Sequence, residues 1–467
     1  MSLFFRPANS VAADFIPFAH DGKYHLFYLR DWRGHPEHDN GIPWHHLVTQ
    51  DFVTFDDLGE ALPNGGEDSR DWYVFTGSVI EAKGQFHIFY TGHNSHIEPP
   101  EVILHATSAD LRTWKKDAGF AIAPMDGYDP SDWRDPFVYR DEQTGRYTAL
   151  LAARRPDGPA RYRGVTARIE SADLTSWTLQ EPLWAPDLYI THECPDLFRI
   201  GEWWYLIYST YSESNSTHYR MSRNIDGPWL FPNSPDGGDT FDGRPYYAAK
   251  SAEAGGRRHL FGWLATREGE TDSGGWQWGG NLVVHEIVQQ PDGVLSVRCP
   301  ESIVKAFNTV QPLEAKSVLG DWVVDGNTAR AEGENLSVLL MGGLPDEAMI
   351  EATATLAPGT QSAGLALRAD EALDAFYCLR IEPARQRVVF DRWPRPADQP
   401  FSVKRPVRLP AGEPVHLRAL VDGTCMVCTV NDRVALSCRM YDTHGPAWGT
   451  FVSEGKGNFT GLSVRTR

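Results

Sequence analysis

Three carboxylic acids, Asp14, Asp135 and Glu193, fall at corresponding places of a repeat in this 467-residue chain. Their settings are apolar or tight: Ala13-Asp14-Phe15, Arg134-Asp135-Pro136 and His192-Glu193-Cys194. Each has an ordinary structural use when taken singly. Asp135 can pair with Arg134, Asp14 can accept from a backbone turn, and Glu193 can be solvated. Gathered at one place, they repel one another and at least one holds its proton more tightly. Such a set, without a Cys/His nucleophile or a metal cluster, suits glycoside hydrolysis. One carboxylate works at the anomeric carbon and another protonates the leaving oxygen. Glu193, followed by Cys194-Pro195 and close to Asp196, suits the protonated role.

The repeat that aligns these acids is a glycine followed by an aromatic and aliphatic run. Its five copies begin at Gly22, Gly84, Gly145, Gly201 and Gly256, spaced 62, 61, 56 and 55 residues apart. Each reads as a buried strand opened by a tight turn. The preceding strand then holds residues about eight positions before each glycine. That rule selects Asp14, Thr76, Asp135, Glu193 and the segment 246–248. A second pattern, Ser/Thr-x-Asp with an aromatic four residues later, follows at Thr49–Phe55, Ser108–Trp114 and Ser171–Trp177, and more loosely at Ser222–Trp229. It reads as a side-chain-capped turn. Five such units without recurring amphipathic helices predict a five-bladed β-propeller over 1–300. A linker is expected over 301–316, helical at its start. Short alternating runs from 317 to 467 predict a β-sandwich. The fold class is all-β.

Composition sets limits on partners. The formal charge of −18 argues against nucleic acid and anionic membranes. No apolar run reaches a membrane span. The segment Met1–Asn9 lacks a secretory pattern, which favours a cytoplasmic enzyme acting on a small carbohydrate. Neither a metal nor another cofactor is expected. Cys425-x-x-Cys428 sits in a strand-like run and reads as core. The 55 aromatic residues (16 Trp, 17 Tyr, 22 Phe) include candidate sugar-stacking groups: Trp32, Trp44, Trp72, Phe75, Trp276 and Trp278. Trp276 and Trp278 are set among glycines, as on a loop.

These residues resemble glycoside hydrolase family 32, the invertases and fructanases, over nearly the whole chain. Trp133-Arg134-Asp135-Pro136 matches the family's Arg-Asp-Pro motif, and Glu193-Cys194 its Glu-Cys motif. Phe75-Thr76-Gly77-Ser78 resembles Phe-Ser-Gly-Ser, and Trp44-His45-His46 resembles Trp-Gly-His. Tyr246-Tyr247 and Gly262-Trp263 look like its fifth blade, and Asp391-Arg392-Trp393 like an Asp-Arg-Ser motif in the sandwich. The resemblance implies a propeller joined to a sandwich, with Asp14 as nucleophile, Glu193 as acid/base and Asp135 as transition-state stabiliser. Arg134, Trp44, Phe75, Thr76, Trp32, His46 and Trp276 are then substrate-binding candidates.

The first motif departs from the family's. Val11-Ala12-Ala13-Asp14-Phe15 replaces a Trp-Met-Asn-Asp-Pro sequence, so a sugar-hydroxyl ligand is Ala13, and Leu29 replaces a glutamine. Three readings stay open. The first is a retaining β-fructofuranosidase for sucrose-like sugars or short oligosaccharides. The second is a fructosyltransferase or difructose-anhydride-forming enzyme, or an arabinofuranosidase-like one. The third is a non-catalytic sugar-binding protein. The sandwich could bind sugar, cover the propeller or join a homo-oligomer.

Overall fold

The computed structural model describes residues 2–467 apart from 39, 213, 214, 332, 334 and 396–401. Consecutive antiparallel strands form sets. The first holds β1 (Val11–His20), β2 (Lys23–Asp31), β3 (Trp44–Thr49) and β4 (Asp56–Leu62). The second holds β5 (Tyr73–Ala82), β6 (Gln85–His93), β7 (Glu101–Ser108) and β8 (Lys115–Lys116). The third holds β9 (Trp133–Arg140), β10 (Tyr147–Arg154), β11 (Gly164–Ser171) and β12 (Trp177–Leu179). Next come β13 (Glu193–Ile200), β14 (Trp203–Thr210) and β15 (Ser216–Ser222). The last set holds β16 (Tyr246–Ala254), β17 (Arg257–Arg267), β18 (Trp276–Gln289) and β19 (Leu295–Arg298).

The repeated aromatic runs are the second strands β2, β6, β10, β14 and β17. The turns Asp21-Gly22, Lys83-Gly84 and Gly255-Gly256 have positive φ at both residues. That backbone matches the twist of a two-residue hairpin, and only glycine adopts it without strain. In the second repeated pattern, Asp51, Asp110 and Asp173 each accept two backbone N–H groups at 2.8–2.9 Å, as the turn chemistry predicts.

Each first strand packs against the first strand of the next set, and β16 packs against β1, so the five form a closed ring. The closure is also made by strand pairing in register. Ala12 pairs with Gly280, which sews β18 to β1. Leu282 donates its N–H to the Phe5 carbonyl at 2.8 Å, extending the seam. Thus residues from the two ends of this half of the chain reach the same place.

Helix α1 (Glu301–Ala306) leads out. The expected linker is not wholly irregular: Thr309–Val310 is a strand paired with Gly457–Thr466. Beyond it, two sheets pack face to face. One contains Glu347–Leu356, Val415–Asp422, Cys425–Val430 and Val434–Arg439. The other contains Ser362–Ala369, Phe376–Glu382 and Arg387–Trp393. Alternate residues such as Ile350, Leu365, Leu379, Leu417 and Val464 fill the space between them. Cys425 and Cys428 are buried on their strand. Among the described residues no helix is long and apolar enough to cross a membrane.

Candidate active site

All five ring strands break register at the same place. The breaks lie between Ala13 and Ile16, Phe75 and Gly77, Arg134 and Phe137, Glu193 and Asp196, and Tyr247 and Lys250. A bulge re-aims the side chains beside it. Four of the bulges start on a left-handed residue: Asp14 (φ 43°), Asp135 (φ 58°), Cys194 (φ 50°) and Ala248 (φ 51°). This geometry corrects one expectation. Asp14 and Asp135 are equivalent, but Glu193 stands one residue earlier, level with Ala13, Phe75, Arg134 and Tyr247. The acids therefore occupy two adjacent levels, not one.

On the upper level, Glu193 is held by two donors. Arg134 Nη2 reaches Oε1 at 3.0 Å, and the Tyr247 hydroxyl donates to Oε2. Arg134 is buried and also bonds Glu101, at 3.3 Å, and Asp132. These anions hold its pKa well above the ordinary value against the pull of burial. On the lower level, Asp14 accepts from Thr76 Oγ1 at 2.7 Å and from Trp263 Nε1 at 2.9 Å. Burial pushes Asp14 up to about 6, and the two hydrogen bonds limit the rise. Asp135 accepts from the Cys194 N–H at 2.9 Å, and its own N–H donates to Thr91 Oγ1 at 2.8 Å. Burial drives Asp135 up to about 7. Arg134, 4.0 Å away, opposes the rise, and the Glu193 charge adds to it.

The three acids open into one cavity of about 670 Å³. Arg134, Phe75 and Trp276 also line it, as expected from sequence, and Trp278 joins them. Phe75 stacks on His93 with ring centroids 4.6 Å apart. Four other expected contacts are not on this wall. Trp44 is fully buried and spends its indole N–H on the Phe75 carbonyl at 3.1 Å. His46 is buried against Phe27, with centroids 4.2 Å apart, and bonds His25 at 3.0 Å. Trp32 stacks on His38 at 4.2 Å, away from the acids. Thr76 is buried and acts on Asp14, not on the cavity surface. Asp196 turns from Glu193 to accept from the Ser251 N–H and hydroxyl, each at 2.6 Å. Ala13 and Leu29, the departures in the first motif, are both fully buried and pair with each other across β1 and β2.

Sequence reasoning missed the roles of Tyr247 and Trp263. The eight-residue rule did land on 246–248, so Tyr247 had a signal. Trp263 lies opposite Tyr247 on β17, and its signal was the fifth-blade resemblance of Gly262-Trp263. Lys250 had none: its ammonium is buried on the carbonyls of Gly77 (3.0 Å) and Pro195 (3.3 Å), tying two ring strands together.

Comparison with known proteins agrees with this architecture. Residues 9–290 match the glycosyl hydrolases family 32 N-terminal domain, and 324–466 match the family 32 C-terminal domain. The chain is 26% identical to sucrose-6-phosphate hydrolase of Escherichia coli, over 90% of this chain and 84% of that one. It is 27% identical to raffinose invertase of Escherichia coli, over 67% of each. Among solved structures, sucrose-6-phosphate hydrolase of Lactobacillus gasseri superposes with a TM-score of 0.76 at 19% identity, over 99% of this chain and 92% of that one. Exo-inulinase of Aspergillus awamori gives 0.77 at 16% identity, over 100% and 98%. A propeller followed by a sandwich, both matched by their own family models, makes this chain a member of glycosyl hydrolase family 32.

Proposed function

We propose that the protein is a retaining β-fructofuranosidase acting on sucrose-like sugars or short fructosides, with the five strand sets as five propeller blades. The observation that carries this reading is the pair of differently held acids in one cavity. Asp14 receives two hydrogen bonds that favour its anion and fix its orientation. Each of its oxygens still keeps a lone pair. Glu193 has the more open side chain, 19% exposed against 5% for Asp135, which suits a group that must meet both leaving oxygen and water.

In the first step Asp14 attacks the anomeric carbon as the glycosidic C–O bond breaks, and the proton of Glu193 passes to the leaving oxygen. Water then loses a proton to Glu193 as its oxygen attacks the same carbon. The ester bond to Asp14 breaks and fructose leaves with its configuration retained. Asp135, with Arg134, holds the ring, and the Asp135 carboxylate meets the positive charge that develops on it.

The relatives are named for sucrose 6-phosphate and raffinose, and the cavity favours the neutral kind of sugar. Arg134 is the one Lys or Arg among the described lining residues, and it is already bonded to Glu101, Asp132 and Glu193. The deciding experiment is hydrolysis of sucrose, sucrose 6-phosphate and an aryl fructofuranoside by wild type and by Glu193→Gln, with anomeric analysis of the first product. Retained configuration is expected, without a gain from the phosphate. Glu193→Gln should lose sucrose activity by about 10³-fold but lose far less on the aryl substrate, whose leaving group needs no proton. Inverted product, or equal losses on both substrates, would remove the assignment.

A further inference from the structure

The cavity wall that carries Trp276 and Trp278 is not held by the propeller alone. It follows the turn between β17 and β18, where buried Asp272 ties the turn to the sandwich beside two direct contacts: Trp276 packs on the sandwich core, and the Arg267 N–H donates to the Tyr441 hydroxyl at 3.4 Å. Asp272 Oδ2 accepts from the Tyr377 hydroxyl at 2.6 Å and from Arg392 Nη1 at 3.1 Å. Its Oδ1 accepts from the Tyr441 N–H at 3.0 Å, and its own N–H donates to Asp442 Oδ1 at 3.2 Å. Tyr377, Arg392, Tyr441 and Asp442 all belong to the sandwich. The Asp272 carbonyl in turn accepts from Arg267 Nη1, which also reaches the Gly274 carbonyl at 3.3 Å. The guanidinium of Arg267 lies 3.8 Å above the Trp276 ring. An unbroken series of contacts therefore runs from Arg392 of the sandwich through Asp272 and Arg267 to Trp276 in the sugar cavity.

We propose that Asp272 is a positioning residue through which the sandwich sets the pose of Trp276, and hence the affinity for sugar. The geometry explains why these residue types are used. A buried carboxylate with three sandwich donors loses all of them if the turn moves, so the turn has one stable position. The planar guanidinium of Arg267 can then stack on the indole face while its Nη1 donates to the Asp272 and Gly274 carbonyls. It also gives a task to Arg392 in the Asp391-Arg392-Trp393 segment. In this view the sandwich contributes to the active site without touching the substrate.

The inference rests on the Trp276 cavity being the sugar site, so the test has one readout that does not need turnover. Asp272→Asn keeps the size of the side chain but sets an amide N–H₂ against groups that are all donors. Backbone amides of 273–278 should exchange with deuterium at least about tenfold faster in this variant than in wild type, while those of β2 and β6 do not change. Where a furanoside is turned over, KM should rise about tenfold with kcat within about twofold. In a Trp276→Ala background, Asp272→Asn should add less than about twofold, because its route to the sugar is gone. Arg392→Met, at a less buried position, gives the same pattern in weaker form and serves if Asp272→Asn does not fold. Val421→Ala, in the sandwich core, controls for lost stability and should leave KM alone. Unchanged exchange at 273–278, or KM effects that multiply independently in the double variant, would overturn the proposal. Failure of wild type to cleave any furanoside would refute the proposed function while leaving the exchange result to decide this one.

Discussion

Asp14 and Trp263 come from opposite ends of the propeller sequence and meet across its seam, where the indole N–H donates to Oδ1 at 2.9 Å. The contact exists because β18 pairs with β1, which places β17 beside the first strand. It is one of the two hydrogen bonds that keep this half-buried carboxylate from rising beyond about 6. Trp263→Phe should therefore move the acid limb of the kcat/KM profile to higher pH. It should also lower the plateau by about ten- to a hundredfold, the usual scale for a hydrogen bond to a charged group. An acid limb that stays in place would separate Trp263 from the state of Asp14.

The same carboxylate should cost stability. Its pKa in the fold, about 6, lies above the ordinary 3.8, so the fold prefers the protonated acid. That preference is fully felt below pH 4 and is lost as pH rises through 6. Asp14→Asn keeps the shape and can still bond Thr76 and Trp263. It should be nearly as stable as wild type at pH 4 and more stable by about 3 kcal/mol at pH 8. Thermal unfolding at the two pH values checks this, and a variant less stable than wild type at pH 8 contradicts it. Its activity should fall by at least about 10³-fold in the same preparation.

Much of the propeller was legible because its second strands are continuous apolar runs behind a turn glycine, a pattern that survives without any knowledge of tertiary contacts. The first strands were legible only by counting back from those glycines, and a bulge defeats counting. Pro136 and Pro195 held the missing information. Aligned on them, Asp135 matches Cys194 and Glu193 matches Arg134, which is the register the strands adopt. Trp44 fell outside the cavity for another reason. Trp44 belongs to a strand whose six residues are all buried, so no alternation revealed which face met solvent. The tie from Asp272 to the sandwich joins residues 105 to 170 positions apart and left no local pattern.

That contrast between tryptophans can be measured. Trp44→Phe removes the bond to the Phe75 carbonyl and some buried volume. It should destabilise the protein by about 1–3 kcal/mol with KM within about twofold of wild type. Trp278→Ala, on the cavity wall and 37% exposed, should do the reverse, raising KM several-fold with little effect on unfolding. A raised KM in Trp44→Phe, with stability intact, would return Trp44 to the sugar site.

Burial holds seven histidines below their ordinary pKa, His87 among them, and the six with the largest shifts set the acid limit of the fold. Burial holds His25, His45, His105 and His259 down to about 4, and His46 and His192 to about 3. All are neutral in the native state and take up a proton on unfolding once the pH is below about 6.5. Stability is thus complete above that pH and is lost as pH falls toward 4 and 3. For fully buried His46 and His192 the loss approaches about 1.4 kcal/mol per pH unit each. Asp14 and Asp135 act in the opposite sense, since the native state binds their protons first, but they are two groups against six. The urea midpoint should therefore drop steadily between pH 6.5 and 4.5. His192→Gln should flatten the drop, because the unfolded chain then has one imidazole fewer to protonate. A midpoint that holds or rises over that interval would mean that the acids of the active site, and not the buried imidazoles, govern the response to pH.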